Sequence, residues 1–278
     1  MPELPEVETI TRGLNSGANN ITNKKISQVF RSNKKMRFDS HLEFNLLEGQ
    51  KITNLRRRAR YLIIETSDKM SLIIHLGMSG RLILKQNIAF EDYEMAKHDH
   101  FIAQIGDDLL ILNDPRRFGF IDLMKSEEIS EHKLLKTLGP EPLSDEFDAK
   151  YLLQQLLKKT TNIKTTMMDN KIVVGVGNIY INESLFRSKI SPIKKSNQLT
   201  KSEIAKLVTQ IKHTLEFAIN AGGSSINDYV DSSGNLGNFQ NDFSVYGRDS
   251  EKCNSCSDII QKINLNGRST FYCPSCQK

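Results

Sequence analysis

All four cysteines of the chain fall in its last 26 residues, as Cys253-x-x-Cys256, sixteen residues, then Cys273-x-x-Cys276. Each Cys-x-x-Cys knuckle lets two thiolates from one tight turn reach a single ion. Two knuckles complete a tetrahedral zinc site, with Zn–S near ~2.3 Å. Four thiolates leave no open position for water, so one Zn2+ ion here is structural rather than catalytic. A terminus of roughly thirty residues cannot enclose a core, which implies a small hairpin stapled by the metal. Disulfides are the weaker reading, because the opening MPELPEVET is acidic and has no hydrophobic signal stretch.

The whole chain has 278 residues, enough for roughly two domains. Its 38% apolar and 26% charged residues exclude a disordered chain. No apolar run approaches the roughly 18 residues of a membrane span, so a cytoplasmic protein without a membrane partner is expected. Lys and Arg outnumber Asp and Glu by 38 to 33, and a net +5 names no partner alone. Placement says more: Arg56, Arg57, Arg58 and Arg60 form RRRAR, and Arg116 and Arg117 sit in DPRRFGF.

Residues 3 to 17 carry Val7, Ile10 and Leu14 at helical spacing. Short β-branched, alternating runs follow: KISQVF, KITNL, YLIIET, SLIIHL, RLIL, HFIAQI, LLIL and FIDLM. They predict an antiparallel sandwich or barrel up to about residue 125. GPEPLSDE, residues 139 to 146, reads as a linker. DEFDAKYLLQQLLKK, Asn178 to Arg187 and Lys201 to Ala221 read as helices. The Gly-, Ser- and Asn-rich stretch from Gly222 to Asn241 reads as a mobile loop. Nothing in the chain signals an oligomer, so a monomer is expected.

Several residues could carry chemistry. If Met1 is removed, Pro2 becomes a free secondary amine with a pKa near ~8, far below a lysine amine. Such an amine can attack a carbonyl-like carbon and form a Schiff base, with Glu3 beside it to move protons. Taken alone, the simpler reading is a proline and two acids opening a helix. Asn178 follows GVG at a helix start, a place that suits phosphate but equally an ordinary N-cap. Met78 in HLGMSGR and Phe118 in DPRRFGF lie in Gly-flanked turns beside Arg. Apolar residues are usually core, yet wedges on such turns can enter a base stack. His75, His98 and His100 show no metal-ligand spacing and read as polar contacts or satisfied core histidines.

Together these segments resemble formamidopyrimidine-DNA glycosylase, a bacterial family of base-excision repair enzymes, over essentially the whole length. The resemblance rests on PELPEVET, RRRARYL, HLGMSG, KHDH, DPRRFG, LGPEPL, MDNKIVVGVGNIY, the AGG loop, VYGR and the closing GRSTFYCPSCQ. It implies an α+β fold in three parts: an N-terminal β-sandwich with a leading helix over 1–138, a helix-two-turn-helix DNA-binding domain with a lesion loop over 139–241, and a zinc-finger β-hairpin over 242–278. It implies a partner, double-stranded DNA carrying oxidised purines or abasic sites. The damaged purine, 8-oxoguanine or a formamidopyrimidine, is flipped out of the duplex, excised, and the strand cut by β,δ-elimination through a Schiff base at Pro2. Glu3 matches the proton-transfer residue and Glu6 a residue of the damaged-base pocket. Ser224 and Ser225 begin the loop that closes over the lesion. Arg268 matches the arginine that grips phosphates and is assigned to δ-elimination. Met78, Arg116 and Phe118 match the triad that fills the hole and probes the orphaned base. Lys159, His75, His98 and Asn178 match backbone-contacting positions, and Lys164 falls in the IK motif. Cys253, Cys256, Cys273 and Cys276 match the zinc ligands.

The sequence departs from the family in places. Arg60 stands where the family usually has the Lys of RRAKYL, keeping the charge but unable to serve as a proton-donating amine. Asn235, Leu236 and Asn238 replace the Lys, Pro and Tyr of the lesion loop, and Ile181 replaces a small residue after GNIY. Two other readings compete. An endonuclease VIII-type enzyme would prefer oxidised pyrimidines, but PELPE and the Met78, Arg116 and Phe118 set argue against it. A non-catalytic or lyase-only damage-binding homologue is invited only by Arg60 and opposed by intact Pro2, Glu3 and Glu6.

Overall fold

The computed structural model describes residues 2–38, 40–224 and 237–278. They form two compact units: residues 1–136 with 222–237, and residues 137–221 with 238–278. Contacts therefore group the cysteine-rich end with the helices, and Gly222, Gly223, Ser224 and Gly237 with the first unit.

The first unit opens with helix α1 (Leu4–Gly13). Eight strands follow: β1 (Ile26–Arg31), β2 (Ile52–Arg58), β3 (Tyr61–Thr66), β4 (Met70–His75), β5 (Arg81–Lys85), β6 (Asp99–Ile105), β7 (Asp108–Asn113) and β8 (Phe120–Lys125). Every alternating run of the sequence became one of them. They pair antiparallel into two sheets, in the orders β1-β6-β7-β5 and β2-β3-β4-β8. One core joins both sheets and α1: Val7, Ile10 and Leu14 pack with Leu62, Ile64, Leu72, Leu110 and Ile121. This is a sandwich with a leading helix. The helix read over residues 3 to 17 stops at Gly13, and a separate turn of 3-10 helix covers Gly17–Asn19.

The second unit holds α2 (Ala149–Leu156), α3 (Ile163–Met167), α4 (Asn178–Ser188), α5 (Lys201–Asn220) and a hairpin of β9 (Gln261–Leu265) and β10 (Arg268–Tyr272). Side-chain caps set the helix starts: Asp148 Oδ1 accepts from Tyr151 N–H at 2.6 Å, and Asn162 Oδ1 from Thr165 N–H at 2.8 Å. The second cap belongs to α3, so α2 ends at Leu156, short of the Lys159 that the sequence pattern reaches. Thr200 and Glu203 exchange hydrogen bonds in a capping box at α5.

Two readings need correction. Asn178 is not an N-cap: Gly177 occupies that position, and Asn178 is the first helical residue. The stretch from Gly222 to Asn241 is not a loop throughout. Phe239 is fully buried in the second core, stacked on Tyr180 at 5.5 Å, so burial of one aromatic overrides the polar composition around it. Ser225, Asn235 and Leu236 lie outside the described residues. No helix among the described residues is long and apolar enough to cross a membrane.

Candidate functional site

In the first unit, the start of α1 is built on two buried carboxylates. Glu3 is the N-cap of α1, and its backbone N–H donates to Glu6 Oε2 at 2.8 Å. Glu6 Oε1 accepts the backbone N–H of Ser224 at 2.9 Å. One carboxylate thus fixes both the first turn of α1 and the backbone at the AGGS segment. Ser224 Oγ is buried and has no hydrogen-bond partner among the described residues. Pro2, partly buried, directly precedes this turn, at the positive end of the α1 dipole.

Arg60 occupies the two-residue turn between β2 and β3, where Arg58 pairs with Tyr61 and Ala59 takes a positive φ of 53°. His75 ends β4, stacked on Phe120 at 5.6 Å and set against Tyr61 at 5.1 Å. Burial pushes its pKa down to about 4, and the charges of Arg60 and Arg37 push the same way. His75 is therefore neutral at physiological pH. Its Nδ1 accepts from Gly77 N–H at 3.1 Å, which puts the ring proton on Nε2. It can meet a phosphate only as a neutral donor. The rest of RRRAR is partly spent inside the unit: Arg56 pairs with Glu65 at 2.7 Å and Arg57 with Glu8 at 2.8 Å.

Met78 and Phe118 are each 47% exposed, on the loops after β4 and β7. Arg116 is exposed too, its guanidinium 4.8 Å from the centre of the Phe118 ring. The two loops touch through bare backbone. A Cβ on Gly77 would lie 2.3 Å from Gly119 N, at a φ of +61° that already favours glycine. A large apolar side chain held outward on such a turn is not core, contrary to what an isolated Met or Phe suggests. His98 is partly exposed. His100 is fully buried, with Ser32 Oγ 2.9 Å from Nδ1 and the Asp114 carbonyl 3.1 Å from Nε2, a satisfied core histidine.

In the second unit, Arg268 is exposed at the tip of the β9–β10 hairpin, beside a turn of Asn266 and Gly267, both with positive φ. The strand behind it is held by three side chains. Lys164, 1% exposed, donates from Nζ to Ser269 O at 2.9 Å and to Thr270 Oγ1 at 2.7 Å. Asn178 Nδ2 donates to Ser269 O at 3.0 Å, and Asn182 Oδ1 accepts from Phe271 N–H at 2.9 Å. Glu183, fully buried, accepts from the N–H groups of Ser244, Val245 and Tyr246 at 2.9 to 3.0 Å, anchoring the chain into the finger. Lys159 lies beyond α2, partly buried.

The four cysteine Sγ atoms lie within 4.8 Å of one another. Cys253 and Cys276 Sγ are 3.9 Å apart, and Cys256 and Cys273 Sγ 3.4 Å. A tetrahedron with Zn–S of ~2.3 Å needs S···S near ~3.8 Å. The donors fit one zinc ion, and the finger holds one structural Zn2+.

Three stretches match known domains: residues 1–121 the formamidopyrimidine-DNA glycosylase N-terminal domain, 138–230 the formamidopyrimidine-DNA glycosylase H2TH domain, and 250–278 the zinc finger found in FPG and IleRS. A formamidopyrimidine-DNA glycosylase of Wolbachia sp. subsp. Drosophila simulans is 46% identical over 279 residues, covering all of both chains. The chain belongs to the formamidopyrimidine-DNA glycosylase family. Solved Lactococcus lactis Fpg structures agree over the full length of both chains. A point mutant of that protein with Fapy-dG-containing DNA superposes with a TM-score of 0.88 at 38% identity, and a complex with abasic-site DNA with 0.87 at 39%.

Sequence reasoning missed the residues that hold these positions in place: Asp114, Glu183, Glu8 and the buried role of Lys164. A signal existed for Glu183. It falls on the helix NIYINESL with Asn178 and Asn182, polar residues at helical spacing on a segment otherwise apolar.

Proposed function

We propose that this chain is a base-excision repair DNA glycosylase for oxidised purines, 8-oxoguanine and formamidopyrimidines, and also an AP lyase that cuts the strand. What supports this most is the start of α1, where Pro2 precedes two buried carboxylates and Glu6 binds the backbone of Ser224. With Met1 removed, the Pro2 nitrogen attacks C1′ of a flipped nucleotide and the C1′–base bond breaks, the base leaving with that electron pair and a proton. Loss of the sugar ring oxygen's bond to C1′ leaves an iminium between Pro2 and C1′. The iminium acidifies the C2′ proton; removing it expels the 3′ phosphate, and a second elimination expels the 5′ phosphate. Glu3 moves protons in these steps, Glu6 and Ser224 hold the base pocket, and Arg268 grips phosphate during δ-elimination. Met78, Arg116 and Phe118 fill the vacated stack. Lys159, His75, His98 and Asn178 contact the backbone, His75 as a neutral donor. Cys253, Cys256, Cys273 and Cys276 are the zinc ligands. On this reading residues 1–138 are the catalytic part, 139–241 bind DNA and 242–278 form the finger. One chain supplies every residue, so a monomer acting on cytoplasmic bacterial DNA suffices.

The test is borohydride trapping on a duplex with one 8-oxoguanine opposite cytosine, with mass mapping of the adduct. An adduct on Pro2 is expected. An adduct forming only with an oxidised pyrimidine would favour the endonuclease VIII-type reading. No adduct even with an abasic site would favour a binding-only protein. The name of the family, a glycosylase of formamidopyrimidines, weighs against those readings.

Arg60 bears on excision. A guanidinium holds its proton at any working pH, whereas a lysine amine can release one. Arg60→Lys should raise single-turnover excision of 8-oxoguanine by about a hundredfold, the lower range for a general-acid contribution. An unchanged or lower rate would show that the arginine is the fitted residue here.

A further inference from the structure

We propose that Asp114 and Ser79 are positioning residues that clasp the two wedge loops into one rigid insert, an inference that rests on the wedge role of Met78, Arg116 and Phe118 given above. Met78 sits on one loop, Arg116 and Phe118 on the other, and a side chain driven into a base stack must resist the unstacking cost. The Asp114 carboxylate, fully buried, ties the two loops together. Its Oδ1 accepts from Ser79 Oγ at 2.7 Å and from Arg116 N–H at 3.3 Å, and its Oδ2 from Gly119 N–H at 2.8 Å.

Asp114 is itself held. Its N–H donates to the His98 carbonyl at 3.0 Å, and its own carbonyl lies 3.1 Å from His100 Nε2. Gly77 and Gly119 let the loop backbones meet without a side chain between them. Ser79 supplies the hydroxyl by which the Met78 loop reaches this carboxylate. The same oxygen takes the N–H of Arg116, the residue that probes the orphaned base. Loosening Ser79 therefore frees Met78 from Phe118 and shifts Arg116 as well.

The clasp is tested with a duplex carrying tetrahydrofuran, a stable abasic analogue, opposite 2-aminopurine. The fluorescence change reports wedge insertion with no chemistry. Wild-type protein should give a rapid rise. Ser79→Ala should slow it at least about tenfold, as expected for losing one hydrogen bond to a charged group, and Ser79→Thr should restore it. The ratio of 8-oxoguanine excision opposite cytosine to that opposite adenine should fall in Ser79→Ala and recover in Ser79→Thr. Equal insertion rates and an equal ratio in wild type and Ser79→Ala would overturn the clasp. So would the absence of any fluorescence rise with folded wild-type protein, since there would be no wedge to hold. Normal wedge insertion without a Pro2 adduct would instead defeat the catalytic reading and leave the clasp standing.

Discussion

Pro2→Gly should lower the rate of borohydride-trappable adduct formation by at least about a hundredfold, the lower range for losing a positioned catalytic group. A secondary amine condenses to an iminium that has no N–H to lose and so stays positively charged until it is hydrolysed. A primary amine gives an imine that is charged only while protonated, a weaker electron sink for both eliminations. Glycine also removes the ring that locks rotation about the N–Cα bond, so the nitrogen lone pair is no longer held in one direction. Lesion binding should survive. The bonds that build the pocket, Glu3 N–H to Glu6 and Ser224 N–H to Glu6, use neither the proline ring nor its nitrogen. Single-turnover trapping and anisotropy titration on the same duplex separate the two effects. A wild-type trapping rate in the glycine variant would remove Pro2 as nucleophile. A parallel loss of binding would mean that the ring packs the pocket instead of doing the chemistry.

The strands were legible because a short apolar, β-branched run bounded by turn residues is a local signal, and pairing only had to join the eight runs. Zinc was legible for the same reason, since a knuckle is four residues long. The carboxylates that position the site were not. Asp114 works by holding Ser79, 35 residues away. Glu6 bonds Ser224 at a separation of 218 residues. Glu183 takes N–H groups from residues 61 to 63 positions on. Composition cannot reveal a partner so distant, and only the resemblance to a family pointed at Glu6. The basic run RRRAR is less uniform than it reads: strand alternation and a hairpin turn distribute its members, and Glu65 and Glu8 pair with Arg56 and Arg57. Phe239 escaped notice because a single buried ring leaves no periodic trace in a polar segment.

Cys253→Ser, or removal of zinc by a chelator, should unfold the finger and weaken binding to lesion duplex by at least about a hundredfold, while the helical signal is largely kept. Metal binding in so small a module is its folding energy. The local core is thin: Phe186, Val245, Ile260 and Phe271 packed with Cys253 and Cys273. Two of those six residues are themselves zinc ligands, so losing the ion removes staple and packing together. The helices have their own core, running from Phe147 through Leu215 to Phe239, and it contains no zinc ligand. What the collapse does remove is β10. Its backbone is where Lys164, Asn178 and Asn182 converge, and its first residue is Arg268. Without the strand, Arg268 loses the position from which the proposed phosphate grip is made, and Lys164 loses its Ser269 and Thr270 acceptors. The fall in affinity should come with a shallower salt dependence, because each lost phosphate contact takes about 0.9 from the slope of log K against log salt. Anisotropy titrations at several salt concentrations, with zinc content measured on the same samples, decide the matter. Zinc-free protein that binds with unchanged affinity and unchanged slope would mean that the finger carries no DNA contact, and Arg268 would then have no phosphate to grip.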